Sequence, residues 1–210
     1  MAKKKLNILI TAGGTRESID PVRYITNAST GRMGYAIARA ATQTGHAVTL
    51  VTAPTSLRPP KEASVIDVVT SDEMFKAVKA GFAKCDCLIM AAAVSDYKPA
   101  ASSKTKIKKQ PSALSLELKP TQDILKWAGR HKVKGQTVVG FALEDTDILA
   151  NAERKLKAKK LDMIVANAPA AIGAEKSTLY IKTKTTDWQT LPNQTKSASA
   201  KKLLTVIESL

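Results

Sequence analysis

Residues 10–41 read ITAGGTRESIDPVRYITNASTGRMGYAIARAA. An apolar strand ends at Gly13-Gly14, a long polar loop follows, and order resumes in an amphipathic helix opened by Ser29-Thr30-Gly31. Glycine permits the sharp turn and close backbone approach that side chains would block. A helix starting near Gly31 adds unpaired N–H groups and the positive end of its dipole. Strand, glycine turn and helix together suit a phosphate. The loop between them carries Arg16, Asp20, Arg23, Asn27 and Ser29, more polar chemistry than a plain turn needs. Glycines required only for the turn are the alternative reading.

Outward from this stretch, periodicity predicts a strand over 6–11, a helix over 31–44 and a second strand over 47–52 after a stop at Gly45. A third strand over 63–69 precedes a helix over 71–83, with Ser71 as its cap and Asp72 and Glu73 in its first turn. Residues 85–92 read as a central strand, apolar on both faces. This alternation signals a Rossmann-like, doubly wound three-layer α/β sandwich with a mainly parallel sheet. Further on, helices are expected over 123–130, 147–160 and 199–208, and strands over 137–142 and 163–166. Two hairpins, over 104–119 and 179–191, do not belong to a minimal sandwich and are read as protrusions that serve as a flap or an oligomer contact. No repeat or disordered linker interrupts the 210 residues, so one domain is expected over 1–210, with a flap at 100–120 and a C-terminal hairpin and helix at 177–210.

Composition narrows the classes. No apolar run reaches membrane-spanning length, and the basic start passes into a strand rather than a signal peptide, so a cytoplasmic protein without membrane contact is expected. Cys85 and Cys87 read as buried or half-buried thiols, too close along a strand to bridge easily and too few for a metal site. A net charge of +15 invites nucleic acid, yet the lysines are scattered and aromatic residues are few. A pocket for small polyanions explains the sign of the charge equally well.

Four further motifs carry chemistry. AAAVSDYKP (91–99) lies at a strand end, where its alanines, Ala92 and Ala93 among them, admit a flat base or ribose and Asp96 offers a carboxylate to a ribose hydroxyl or a metal. KIKK (106–109) would set Lys106 and Lys108 on one strand face towards a polyphosphate; a solvated edge strand is the bland alternative. In VVGFALED (138–145) Phe141 could cover a base, and in KLKAKKLD (155–162) Lys155 and Lys159 stack on one helix face, a spacing whose usual meaning is a solvated surface. A nicotinamide site fits poorly, because the spacing is not G-x-G-x-x-G and no acid follows the second strand. The Tyr180–Lys184 YxxxK pattern falls on an apparent strand, where those two side chains do not share the helical face that pattern requires.

In order and spacing, DPVRYITNASTGRMG, AAAVSDYKP, KIKK, QDIL, GFALE and KLDMIVAN resemble the phosphopantothenate–cysteine ligase family of coenzyme A biosynthesis. The resemblance runs from Ile10 to about Asn167 and blurs beyond it. Departures are Gly14, Ser95, Gln122 and Asp145. It implies a ligase joining 4′-phosphopantothenate to L-cysteine through an acyl-cytidylate, using CTP with Mg²⁺ and releasing CMP and pyrophosphate. It implies that Lys106 serves formation of the acyl-nucleotide and Asn27 its turnover. Asp96, Gln122, Asp123, Ile124, Leu125, Phe141, Lys155 and Lys159 match nucleotide-binding positions. Gly13, Gly14, Ser29, Gly31, Ala92 and Ala93 complete the expected CTP site, Arg23 and Asn27 face phosphopantothenate, and Asp96 is the candidate Mg²⁺ ligand. A homodimer without FMN is expected, with a separate flavin-dependent decarboxylase as the next pathway enzyme and no nucleic-acid partner. The competing readings are an NAD(P)-dependent reductase and a basic nucleic-acid-binding module.

Overall fold

The computed structural model describes residues 5–210; the first residues of the basic tail, 1–4, lie outside the described residues. β1 (Asn7–Ala12) runs through the middle of an eight-stranded sheet because it is apolar on both faces. Ile8, Ile10 and Ala12 face one helical layer and Leu9 the other. The polar loop that follows holds a small antiparallel ribbon of β2 (Arg16–Ser18) and β3 (Tyr24–Thr26). α1 (Arg32–Gln43) then returns the chain to β4 (Ala47–Thr52), which pairs parallel with β1, and β5 (Ser64–Asp67) lies outside β4. α2 (Ser71–Phe82) crosses back, so that β6 (Cys87–Met90) pairs with the other side of β1.

Past β6, β7 (Tyr97–Pro99) and β8 (Leu118–Pro120) form a second ribbon. α3 (Ile124–His131), β9 (Thr137–Leu143), α4 (Ile148–Ala158) and β10 (Met163–Asn167) extend the parallel sheet. β11 (Lys176–Thr183) and β12 (Gln189–Thr195) finish it antiparallel, and α5 (Lys196–Ile207) packs back. The order β12-β11-β10-β9-β6-β1-β4-β5 reverses direction between β1 and β6. α1 and α5 cover one face, with Ile37, Ala41, Leu203 and Ile207 against Ile10 and Val165. α2, α3 and α4 cover the other, with Val78, Ala128 and Leu156 among its buried residues. The doubly wound three-layer expectation is borne out.

Four local expectations need correction. The cap of α2 is Thr70: its hydroxyl accepts from Glu73 N at 3.2 Å, and the Glu73 carboxylate accepts from Thr70 N at 3.1 Å. Ser71 instead sits inside the first turn and donates its N–H to Glu17 at 2.8 Å. Residues 104–110 form no strand, although Lys106 and Lys108 alternate; only residues 118–120 pair, and they pair with β7. Alternation makes a strand only where a partner edge is within reach, and the lysine-rich run has no apolar face to bury. The C-terminal hairpin does not protrude: Leu179 and Ile181 are buried, and β11 pairs with β10. Finally, β6 starts at Cys87, so Cys85 precedes the strand.

Burial pushes the Cys85 thiol up to about 11, and Cys87, deeper in the core, is raised further by its burial. Thiolates carry the reactivity, so both cysteines should resist a disulfide reagent in the native protein at about pH 8 and react only after unfolding. Rapid labelling of the folded chain would contradict this.

Two polar clamps tie distant segments. His46 Nδ1 accepts from Leu6 N at 3.1 Å, which leaves Nε2–H to donate to Glu208 at 3.0 Å and holds α5 to the end of α1. Asp162 accepts from Val138 N at 2.8 Å and pairs with Lys132 at 2.7 Å and with Lys184. Burial alone would raise the Asp162 pKa, but the two lysines and the N–H outweigh it and hold the carboxyl below its usual range. A carboxyl depressed by folding stabilises above the unfolded value of about 3.9 and loses that contribution as pH falls through the folded value. The melting temperature should therefore drop below about pH 4, and Asp162→Asn should flatten that acid limb.

Candidate functional site

The crevice opens where the strand order reverses, beyond the carboxyl ends of β1 and β6, the position at which open α/β sheets take their ligands. Two turns are zipped together there. Ala93 N donates to Gly13 O at 2.8 Å and Thr15 N to Ala93 O at 3.3 Å. Buried Thr15 accepts from Ser95 N at 2.9 Å, and Thr121 Oγ1 donates to Ser95 O at 2.6 Å. The Ser95 departure is thus accommodated, since its hydroxyl meets Thr15 Oγ1 at 3.3 Å. The glycine turn therefore spends part of its hydrogen bonding on the second turn and acts chiefly by close approach.

Gly31 carries that approach further. Its φ is +75°, and a Cβ there would stand 3.3 Å from Gly13 N. Only glycine brings the start of α1 onto the β1 turn in this conformation. The cap residue of α1, Gly31, has no side chain to offer and no acid lies in the first turn, unlike α2. Ser29 Oγ accepts from Gly31 N at 3.3 Å and Thr30 Oγ1 reaches Arg32 N only at 3.5 Å, so the next N–H groups of that turn are open to an anion.

A cavity of about 540 Å³ occupies the crevice. Asn27, Ser29 and Gly31 line it from the loop and α1, Ala92, Ala93 and Asp96 from the second turn, and Gln122, Asp123, Ile124 and Leu125 from the start of α3. Phe141 from β9 and Lys155 and Lys159 from α4 complete this wall. Gly13 and Gly14 stand behind the lining: a Cβ on Gly14 would lie 3.0 Å from Asn27 O. Arg23 and Lys106 do not line the cavity. Arg23 pairs with Asp20, and Lys106 lies exposed in the segment after β7.

The charges are graded. Lys159 pairs with Asp123 at 2.8 Å, while Asp123 also caps α3 by accepting from Lys126 N at 2.9 Å. Burial is the main cause that lowers the Lys155 pKa, neighbouring Lys159 adds a smaller push in the same direction, and Glu144, Asp96 and Asp123 pull it back. A polyanion beside Lys155 would relieve both penalties. Asn27 Nδ2 donates to Val94 O at 3.1 Å and Ala93 O at 3.4 Å, so its amide is oriented by two carbonyls and keeps Oδ1 for another donor.

Arg32 and Lys196, unassigned from sequence, also line the cavity. Arg32 donates to Gly173 O at 3.2 Å, and Lys196 donates to Ser177 at 2.7 Å and Ala171 O at 3.3 Å. Arg32 follows Gly31 directly and was within reach of the phosphate-helix argument. Lys196 lies in the last forty residues, where no motif marks it. Asn167 at the end of β10 lines the cavity too, as the strand-end rule would have indicated. Among the described residues, no cluster of three or more His, Cys, Asp or Glu could hold a metal, and no helix is long and apolar enough to cross a membrane.

Fold and crevice define a doubly wound α/β protein whose lysine-lined cavity lies at the topological switch point. Residues 3–210 match the family described as DNA/pantothenate metabolism flavoprotein C-terminal domain, and the chain belongs to that family. It is 50% identical over 169 residues to the coenzyme A biosynthesis bifunctional protein CoaBC of Bacillus subtilis, covering 80% of this chain and 41% of the relative. It is 42% identical over 219 residues to a cysteine/cysteine sulfinic acid decarboxylase of an unknown prokaryotic organism, covering 99% and 61%. The chain thus spans about two fifths to three fifths of these two relatives. The crystal structure of the C-terminal domain of a CoaBC protein superposes with a TM-score of 0.86 at 38% identity, covering 99% of this chain and 96% of that one. The family resemblance read from the motifs is borne out.

Proposed function

We propose that this chain catalyses the phosphopantothenate–cysteine ligation of coenzyme A biosynthesis. The carboxylate oxygen of 4′-phosphopantothenate attacks the α-phosphorus of CTP, and the α–β bridging bond breaks to release pyrophosphate. The cysteine amine then attacks the acyl carbon, losing a proton and expelling CMP. This chemistry needs alignment and charge neutralisation more than covalent help. The observation that carries the reading is the convergence in one crevice of the acid-free α1 start, the alanine shelf at 92–93, Phe141 and the Lys155–Lys159 pair. The coenzyme A role in the CoaBC name and the shared family support it.

In this reading the α1 start and the lysines hold the triphosphate, Phe141 covers the base, and Asp96 and the start of α3 fix the nucleotide. Asn27 serves the second half-reaction and Lys106 the first. Mg²⁺ with nucleotides keeps several waters and takes one or two carboxylates besides phosphates, and the exposed carboxylate of Asp96 at the crevice fits that sparse demand. The ion would neutralise charge on the phosphates. A second copy of the chain completes the enzyme. We assign its contact to the exposed Val22, Tyr24, Tyr97 and Leu118; support for this is that β2 touches β7, so the two ribbons lie side by side. A flavin-dependent decarboxylase would take the product.

The test is pyrophosphate release and ligation with CTP, ATP, UTP and GTP side by side, each with phosphopantothenate and cysteine. CTP should give cysteine-dependent CMP. Absence of nucleotide cleavage with every triphosphate would remove the reading.

A further inference from the structure

Asp20 is 2% exposed, yet it lies in a polar loop remote from the sheet core. Its carboxylate accepts five hydrogen bonds. Oδ1 takes Val22 N at 2.9 Å and Arg23 N at 2.8 Å, closing the turn before β3. Oδ2 takes Arg23 Nε at 3.0 Å, Arg23 Nη2, and Ile107 N at 3.1 Å from a segment 87 residues further on. Arg23 Nη2 also donates to Ile107 O at 2.8 Å. Both backbone groups of Ile107 are therefore gripped by a side-chain ion pair, as a neighbouring strand would grip them. Ser103 N adds a bond to Ile19 O at 2.9 Å. These bonds replace the ladder that residues 104–110 do not form.

The residue before Ile107 is Lys106, and four residues beyond Arg23, across β3, is Asn27. We infer that Asp20 is a positioning residue: with Arg23 it fastens the strap at Ile107, and so fixes Lys106 relative to Asn27. The two groups assigned to the two half-reactions are then registered through one buried carboxylate. The inference rests on the ligase reading for the roles of Lys106 and Asn27, while the clamp itself rests on geometry alone. Arg23 is committed to this clamp, so any contact it makes with phosphopantothenate must share or exchange the Asp20 bonds. A carboxylate with five donors is held far below the usual aspartate range, chiefly by the Arg23 side chain against the opposing effect of burial, so the clamp stays charged across neutral pH.

Two variants test the clamp. Asp20→Asn removes the charge at nearly constant size. Ile107→Pro removes the N–H that Asp20 accepts and leaves the 20–23 turn intact, which guards against misfolding in the first variant. Because proline also replaces the Ile107 side chain and restricts Lys106, the cleavage rate is the readout taken from it and the kinetic readout is taken from Asp20→Asn. In each, trypsin cleavage after Lys108 or Lys109 of the ligand-free protein should speed up by about tenfold, with the melting temperature of Ile107→Pro unchanged. Cysteine-independent pyrophosphate release should fall by about 10- to 100-fold in kcat, while KM for CTP stays within about twofold, the signature of a misplaced group rather than a lost binding contact. Wild-type cleavage rates would overturn the clamp, and a loosened strap with wild-type kcat would overturn the positioning role. If the wild-type chain itself releases no pyrophosphate, the ligase reading fails, and the cleavage rates still decide the clamp.

Discussion

Asn27→Asp is expected to cleave CTP but not to complete the ligation. The Asn27 amide faces two carbonyl oxygens, Ala93 O and Val94 O, and both of its Nδ2 bonds are spent on them. A carboxylate has no N–H to give, so two acceptors would confront a negative charge and the side chain would swing away. The lost group is the oriented Oδ1, the acceptor suited to an incoming amine N–H beside the acyl carbon. In the ligase reading the nucleotide is held by other residues, so pyrophosphate release should persist while product formation falls by about 100- to 1000-fold, the usual cost of one aligned polar group in a transition state. Lys106→Gln should do the reverse and suppress pyrophosphate release. Single-turnover measurement of pyrophosphate and product separates the two. Equal loss of both steps in both variants would show that the roles are wrongly divided.

The second large effect is on stability. Gly129 is buried in α3, and a Cβ there would overlap the carbonyl oxygen of Lys159 at the end of α4. Helix propensity alone says that Gly129→Ala should stabilise by about 1 kcal/mol. The clash says the opposite, because the obstructing atom is backbone and moves only with α4. We expect a net loss of about 2 kcal/mol or more, in the range of overpacked cores. For a chain of this length that corresponds to a fall of about 4–8 °C in melting temperature. The same shift would draw Lys159 from Asp123 and, on the ligase reading, weaken nucleotide binding. A raised melting temperature would show that α3 and α4 are not in this contact.

Much of this was legible because it is local. The strand, glycine turn and helix of residues 10–41 announce themselves by punctuation and period, and Asp96, Phe141, Lys155 and Lys159 all converge on the crevice that the strand-end rule locates. The cap of α2 was legible too, since Thr70 and Glu73 have capping-box spacing, and adjacent Ser71 obscured it. What escaped is held by distant partners. Residues 104–110 carry a strand-like alternation, but their hold is Asp20 and Arg23, more than eighty residues earlier. Leu179 and Ile181 mark β11 as a strand, yet nothing in them says that it pairs with β10. Lys196 matters only because α5 starts beside the crevice, a fact of packing rather than of motif.

The central claim is that a carboxylate is activated as a nucleotidyl anhydride in this crevice. Phosphopantothenate with heavy-oxygen label in its carboxylate tests it most directly, with mass analysis of the released nucleotide. An acyl-cytidylate retains one carboxylate oxygen on the α-phosphorus when the amine displaces it, so the label should appear in CMP and not in pyrophosphate. Label in inorganic phosphate, with a nucleoside diphosphate as the other product, or no transfer during ligation, would contradict the account.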